Sequence, residues 1–273
     1  DHIAHSRFKD VPAVGQVLSE LQETLEVESQ LSGLQAQLTK KSWGERAAVV
    51  AGYIAQKVQD MPQGKTMLLP GGWQGQQGET GHAMLYRITR ISHTTFRFEL
   101  YNTGAGLELH PQALMEDRLL YGQKIEHAVS VEKMTDPFFW REYYELYREP
   151  AKIGWPIEGN QLYHWLDKLV ENFVEKAHET TLSFKEMGLR RPPRAGNCTF
   201  ECLLAYLKIQ LQDIAFEGKP VYQAVKLDLQ LNTLDSYWEF LDKQGVSQPT
   251  PETALKTLRI LGLLSKELQT VQY

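Results

Sequence analysis

Two stretches, His82-Ala83-Met84-Leu85-Tyr86-Arg87-Ile88-Thr89-Arg90 and Thr95-Phe96-Arg97-Phe98-Glu99-Leu100-Tyr101-Asn102, decide the architecture. In both, large apolar side chains recur at every second position, the period of a strand with one buried face. Only Ile91-Ser92-His93-Thr94 separates them, so they are predicted to pair as a hairpin. Centring the pairing on Ser92 sets Ile88 opposite Phe96, Tyr86 opposite Phe98, Met84 opposite Leu100 and His82 opposite Asn102. One face is then apolar, while the other carries Thr89 with Thr95, Arg87 with Arg97 and Leu85 with Glu99. The Arg87–Arg97 pair counts against this register, because like charges directly opposite repel.

In that register His82 and Asn102 share a face at one end of the sheet. Directly opposite residues have Cβ atoms ~5 Å apart, close enough for an amide to orient an imidazole. An amide bonded to one ring nitrogen fixes the tautomer and leaves the other nitrogen for a thiol. Glycines before His82 (Gly75, Gly78, Gly81) and after Asn102 (Gly104, Gly106) keep this sheet end open to a substrate backbone. The pair also fits a polar cap on a hairpin. His110, near the Asn102 loop, is a reserve base, and His127 falls inside a strand pattern. His164, beside Trp165 on an amphipathic helix, fits a structural role.

Outward from the hairpin, Thr66 to Pro70 reads as a strand running into the glycine-rich loop Gly71–Gly78, and Lys124 to Met134 as a further strand. Helical spacing covers Pro12 to about Lys40, bent near Ser32-Gly33, and Ser42 to about Asp60. It returns at Asp136–Tyr147, at Asn160 to about His178, and in a final helix opened by Pro251-Glu252. The expected fold is α+β, with a small central antiparallel sheet of about four strands flanked by helices before and after. Residues 1–62 form an N-terminal helical hairpin or accessory region. Residues 63–273 form a catalytic domain, with its sheet in 66–134 and its helices in 136–273.

The second chemical feature is Gly196-Asn197-Cys198. The two prolines in Arg190–Ala195 forbid a comfortable helix there, whereas Thr199 to Leu207 has strong helical spacing. Asn197 is a good N-cap, so the nucleophile helix starts at 197 with Cys198 in its first turn. The positive end of a helix dipole favours thiolate, and thiolate is the nucleophile. A small apolar cysteine packed at a helix start fits the same segment.

A net charge of −5 gives no electrostatic reason to expect a nucleic-acid partner. No stretch reaches the ~18 apolar residues of a membrane span, and no signal peptide is visible. Two cysteines four positions apart fit a reducing, cytoplasmic compartment. There is no zinc spacing and no phosphate-binding glycine motif, so neither metal nor cofactor is expected. Beginning at Asp1, the chain reads as a processed form or a piece of a longer protein.

Taken together, Gly81-His82-Ala83-Met84-Leu85-Tyr86, Tyr101-Asn102-Thr103-Gly104 and Gly196-Asn197-Cys198-Thr199-Phe200 resemble the working parts of papain-like cysteine peptidases. The Gly-Asn-Cys-x-Phe run is similar to the nucleophile segment of OTU-type deubiquitinases. The resemblance implies a thiol hydrolase with Cys198 as nucleophile, His82 as base and Asn102 as its orienter. Its substrate would be a protein or peptide, above all one carrying ubiquitin or a similar modifier. The same triad serves acyl transfer and glutamine deamidation, and a non-catalytic helical interaction module is the alternative of another class. The order His, Asn, Cys departs from the Cys-first order of papain-like and OTU enzymes; it implies either a permuted sheet or a likeness to adenain-like peptidases, whose order is His, Asp or Asn, then Cys. Extra helices around a permuted core look like enzymes that bacterial pathogens deliver into host cells. Pro192 stands where the family places an oxyanion-hole Gln. Asn197, the Cys198 backbone N–H, or Gln74, Gln76 and Gln77 are the candidate replacements, with Trp73, Gly81 and Gly104 lining the substrate cleft.

Overall fold

The computed structural model describes residues 11–73, 81–148, 159–179, 182–190, 198–216 and 219–226. Its elements begin with α1 (Pro12–Gln37) and α2 (Trp43–Gln59). They continue with β1 (Thr66–Trp73), β2 (His82–Arg90), β3 (Thr95–Tyr101), the hairpin β4 (Gln112–Met115) and β5 (Arg118–Gly122), and β6 (Lys124–Ser130). Then follow α3 (Val131–Met134), α4 (Pro137–Tyr143), α5 (Gly159–Leu166), α6 (Phe173–His178), α7 (Phe184–Met187), β7 (Leu189–Arg190) and α8 (Cys198–Leu211). The fold is α+β. Its centre is a four-stranded antiparallel sheet in the order β1-β2-β3-β6.

The local signals are physical. Ser42 opens α2 through a reciprocal capping box with Glu45, and Asp136 caps α4 ahead of Pro137. Helix α1 continues unbroken through Ser32-Gly33, where a bend was expected. Leu31 is fully buried there in the core that α2 shares with the sheet, and Tyr53 of α2 donates to the Gln30 side chain. Tertiary burial offsets the cost of a glycine in a helix. The helix expected over 160–178 is two helices. Between them Asn172 takes a left-handed conformation (φ 56°) and Asp167 accepts from the Phe173 N–H at 2.8 Å.

The β2–β3 hairpin is where expected, but its register is shifted by two residues. Leu85 faces Tyr101, Arg87 faces Glu99, Ile88 faces Phe98 and Thr89 faces Arg97. A shift of two preserves which face each side chain occupies. It also replaces the Arg87–Arg97 repulsion by an ion pair of 2.7 Å between Arg87 and Glu99.

Both faces of this sheet are covered. The apolar face, with Tyr86, Ile88, Phe96, Phe98 and Leu100, packs against Val50 and Ile54 of α2, Trp140 of α4 and Trp165 of α5. The other face carries a buried ionic cluster. The Arg87 guanidinium also clamps both oxygens of Glu20 from α1 at 3.1 Å, and Tyr206 of α8 donates to Glu20 at 2.6 Å. Lys124 of β6 reaches Glu99 at 3.3 Å, and the Tyr101 hydroxyl donates to the same carboxylate at 3.2 Å. Both carboxylates thus meet cations and phenols, as charges out of water require.

A second sheet in the order β4-β5-β7 was not expected from the sequence. Its tight turn is Glu116-Asp117, both at positive φ, where Asn-Gly is the usual signal. By contacts the described residues divide into two compact units, 20–209 and 11–19 with 210–226. The first holds both sheets described above. The second holds the ribbon β8 (Ala215–Phe216) and β9 (Lys219–Pro220), and in it Val221 N–H donates to Ile214 O at 3.0 Å.

Replacing Arg87 with Leu strands Glu20 and Glu99 without their shared cation. Removal of one partner from a buried ion cluster typically costs about 3–5 kcal/mol. Urea unfolding of Arg87→Leu is therefore expected to show a large drop in midpoint, and a near-native midpoint would contradict the cluster.

Candidate active site

His82 opens β2, and Asn102 follows the last residue of β3. The two-residue register shift means that they are not directly opposite. His82 lies level with the Gly104 loop and meets Asn102 on the diagonal, with Nε2 at 2.7 Å from Oδ1. The contact expected from the sequence is present, by a different geometry. Gly104 is what permits it, since a Cβ there would stand 2.5 Å from His82 Cε1. Trp73, paired with His82 across β1–β2, packs on the other side of the imidazole with ring centroids 5.0 Å apart.

The loop after β3 fixes the amide. Gly104 N–H donates to Asn102 Oδ1 at 2.9 Å, and Asn102 Nδ2 donates to Ala105 O at 2.8 Å. Oδ1 is therefore the atom turned to His82, and as an acceptor it requires the proton on His82 Nε2. Nδ1 of the neutral ring keeps its lone pair. Burial pushes the His82 pKa below its ordinary value, partly offset by the Asn102 bond and the nearby Glu108 carboxylate. A neutral imidazole with one committed nitrogen and one basic nitrogen can act as a general base.

Helix α8 approaches this end of the sheet. Cys202 is 1% exposed, and its Sγ donates to Ala83 O at 3.3 Å and lies 3.4 Å from the Thr103 hydroxyl. Ala83 and Thr103 are the immediate chain neighbours of His82 and Asn102. One turn later Tyr206 packs its ring edge-on against Tyr101, with centroids 5.6 Å apart, and bonds Glu20. The helix therefore runs from the His82 end of the sheet inward. Cys198, its first residue, is one turn before Cys202 and about 6 Å further toward that end along the axis. The Cys198 side chain lies outside the described residues, as do Asn197, Gln74, Gln76 and Gln77. Gly81 is exposed beside His82.

The remaining histidines separate clearly. His110 is fully buried with both ring nitrogens bonded, Nδ1 to Gly122 O at 2.8 Å and Nε2 to the Tyr163 hydroxyl at 2.6 Å. Burial pushes its pKa down to about 3. His127 bonds Phe173 O at 2.9 Å. His164 is on the outer side of α5, with its side chain 85% exposed. Sequence reasoning missed Tyr163, which bonds Asn102 from 61 positions away. It also missed Cys202 as the residue anchoring α8 beside His82.

No family model matches the chain, and no curated protein or solved structure matches it either. Among the described residues, no helix is long and apolar enough to cross a membrane.

Two outcomes follow from this geometry. Gly104→Ala is expected to displace the His82 ring and break its bond to Asn102 while leaving the fold intact, as judged by far-UV circular dichroism and the His82 ring NMR signals. An unmoved imidazole would contradict the packing. The second concerns acid. His82, His110 and His127 all have pKa values below their ordinary 6.5, so the unfolded chain takes up these protons first. Their contribution is intact above pH 6.5 and is lost as the pH falls from there toward about 3, with His110 contributing most. Melting temperatures across that range should fall with acid, and less steeply in His110→Gln.

Proposed function

We propose that the chain is a cysteine-dependent acyl-transfer enzyme, a peptidase or isopeptidase, with Cys198 as nucleophile, His82 as base and acid, and Asn102 as orienter. The observation that carries this reading is the His82–Asn102 bond, which leaves Nδ1 basic at the sheet end toward which the start of α8 points. A residue in the first turn of that helix also has the dipole to favour thiolate.

In the proposed reaction His82 Nδ1 takes the thiol proton and the Cys198 sulfur adds to the carbonyl carbon of the substrate. The C–N bond then breaks, and the proton passes from His82 to the leaving amine. A water molecule, deprotonated by His82, attacks the thioester. The acid leaves and Cys198 regains its proton. The oxyanion needs donors, for which the Cys198 backbone N–H, the Asn197 side chain and Gln74, Gln76 or Gln77 are the candidates. Trp73 and the Gly104 loop would form walls of the substrate cleft.

The substrate class we favour is a protein bearing ubiquitin or a related modifier, supported by the OTU-like Gly-Asn-Cys segment. The architecture we favour is a permuted papain-like one, supported by strand order and by the helix that begins at Cys198.

The test is chemical. Iodoacetamide at neutral pH should alkylate Cys198 at least tenfold faster than Cys202, whose thiol is buried and bonded to Ala83 O. A ubiquitin probe with a C-terminal alkyne should label wild type and leave Cys198→Ala unlabelled. Equal reactivity of the two cysteines would contradict the enzyme reading. Alkylation without probe labelling would keep the nucleophile and reject the substrate class.

A further inference from the structure

Behind Asn102 a second arm of hydrogen bonds runs into the interior. Asn102 Nδ2 lies 3.1 Å from the Tyr163 hydroxyl, which lies 2.6 Å from His110 Nε2, and His110 Nδ1 lies 2.8 Å from Gly122 O. Every proton in this arm has a determined direction. The Gly122 carbonyl can only accept, so His110 Nδ1 carries a hydrogen. Deep burial keeps that ring neutral, so its Nε2 is an acceptor and the Tyr163 hydroxyl must donate to it. The phenol oxygen then has only acceptor capacity left, and it takes it from the Asn102 amide N–H₂. Reading the arm outward therefore demands Nδ2 toward Tyr163 and Oδ1 toward His82. The Gly104-Ala105 backbone enforces the same orientation from the solvent side.

The arm is also mechanically fixed. Tyr163 sits on α5, which Trp165 docks by donating to Phe139 O at 3.0 Å and stacking on the Phe139 ring at 4.3 Å. The Tyr163 ring backs the loop at Gly106, where a Cβ would stand 2.9 Å from it and where φ is +83°. A loop carrying two glycines thus rests against a rigid buried phenol. The arrangement further accounts for asparagine at 102. A carboxylate there would turn an oxygen toward the Ala105 carbonyl and toward a phenol whose one proton is already committed.

We propose that Tyr163 and His110 are positioning residues that act through Asn102 to hold His82 in its Nε2–H tautomer, with Nδ1 free as the basic nitrogen. The proposal rests on the reading of His82 as the catalytic base, although its first readout does not. In the full chain, the ring ¹⁵N shifts of His82 should report a nearly pure Nε2–H form at neutral pH. Tyr163→Phe should give a mixture of tautomers. His110→Leu should do the same, and His110→Gln, whose side-chain oxygen can still accept from Tyr163, should restore the wild-type spectrum. Cys198 alkylation should fall about fivefold in Tyr163→Phe, roughly the worth of one lost hydrogen bond, with the lower limb of its pH profile moved.

A tautomer change with unaltered Cys198 alkylation would support the positioning and contradict the role of His82 as base. An unchanged tautomer in folded Tyr163→Phe and His110→Leu would overturn the proposal, whatever the alkylation rate. If Tyr163→Phe fails to fold, the His110→Leu and His110→Gln pair decides alone. A Gln variant that behaves like Leu would likewise overturn it.

Discussion

The ion pair between Arg87 and Glu99 sets the β2–β3 register, and the register sets the site. Sliding the hairpin two residues toward the expected pairing would bring Arg87 against Arg97 and take from Glu99 the guanidinium it shares with Glu20, leaving it Lys124 alone. It would also move His82 off Gly104. The clearance that lets the imidazole lie over that loop and reach Asn102 on the diagonal exists only in the observed register. A buried charge cluster on one face of the sheet therefore determines the geometry of a polar pair on the other.

The same cluster locates α8. Glu20 is shared by Arg87 and Tyr206, so the face opposite the apolar core holds the helix through hydrogen bonds and charge. Such clusters contribute little net stability compared with apolar packing, but they tolerate few alternative arrangements. Here that selectivity fixes where the first turn of α8 falls relative to His82. Cys202 completes the attachment with its bonds to Ala83 and Thr103. The start of α8, one turn earlier, is thereby held near the end of the sheet.

Much of this was legible in the chain. The alternation in 82–90 and 95–102 identified both strands and the correct faces, because the side-chain period of two survives any even slip. The size of the slip was not visible to that pattern. Only the cross-strand charges carried it, and the Arg87–Arg97 conflict was the signal. The β4–β5 hairpin escaped because Glu116-Asp117 lacks the glycine that marks a turn with two positive φ angles, and Glu is a poor residue for the first of them. Leu31 kept α1 intact through Ser32-Gly33 by burial that a local reading cannot see. Tyr163 was invisible for a related reason. On a helix face of Leu162, Tyr163, Trp165 and Leu166, it has the spacing of ordinary core, and only the fold shows that its hydroxyl meets Asn102 and His110.

The central claim is that the Cys198 thiol and the His82 imidazole act on one another. Thiolate absorbance near 240 nm, followed against pH in the full chain with Cys202 replaced by Ser, tests it most directly. The account predicts that Cys198 titrates well below the ordinary thiol value of about 8.5 and that His82→Ala moves the titration back toward it. A titration at the ordinary value, indifferent to His82, would contradict the account.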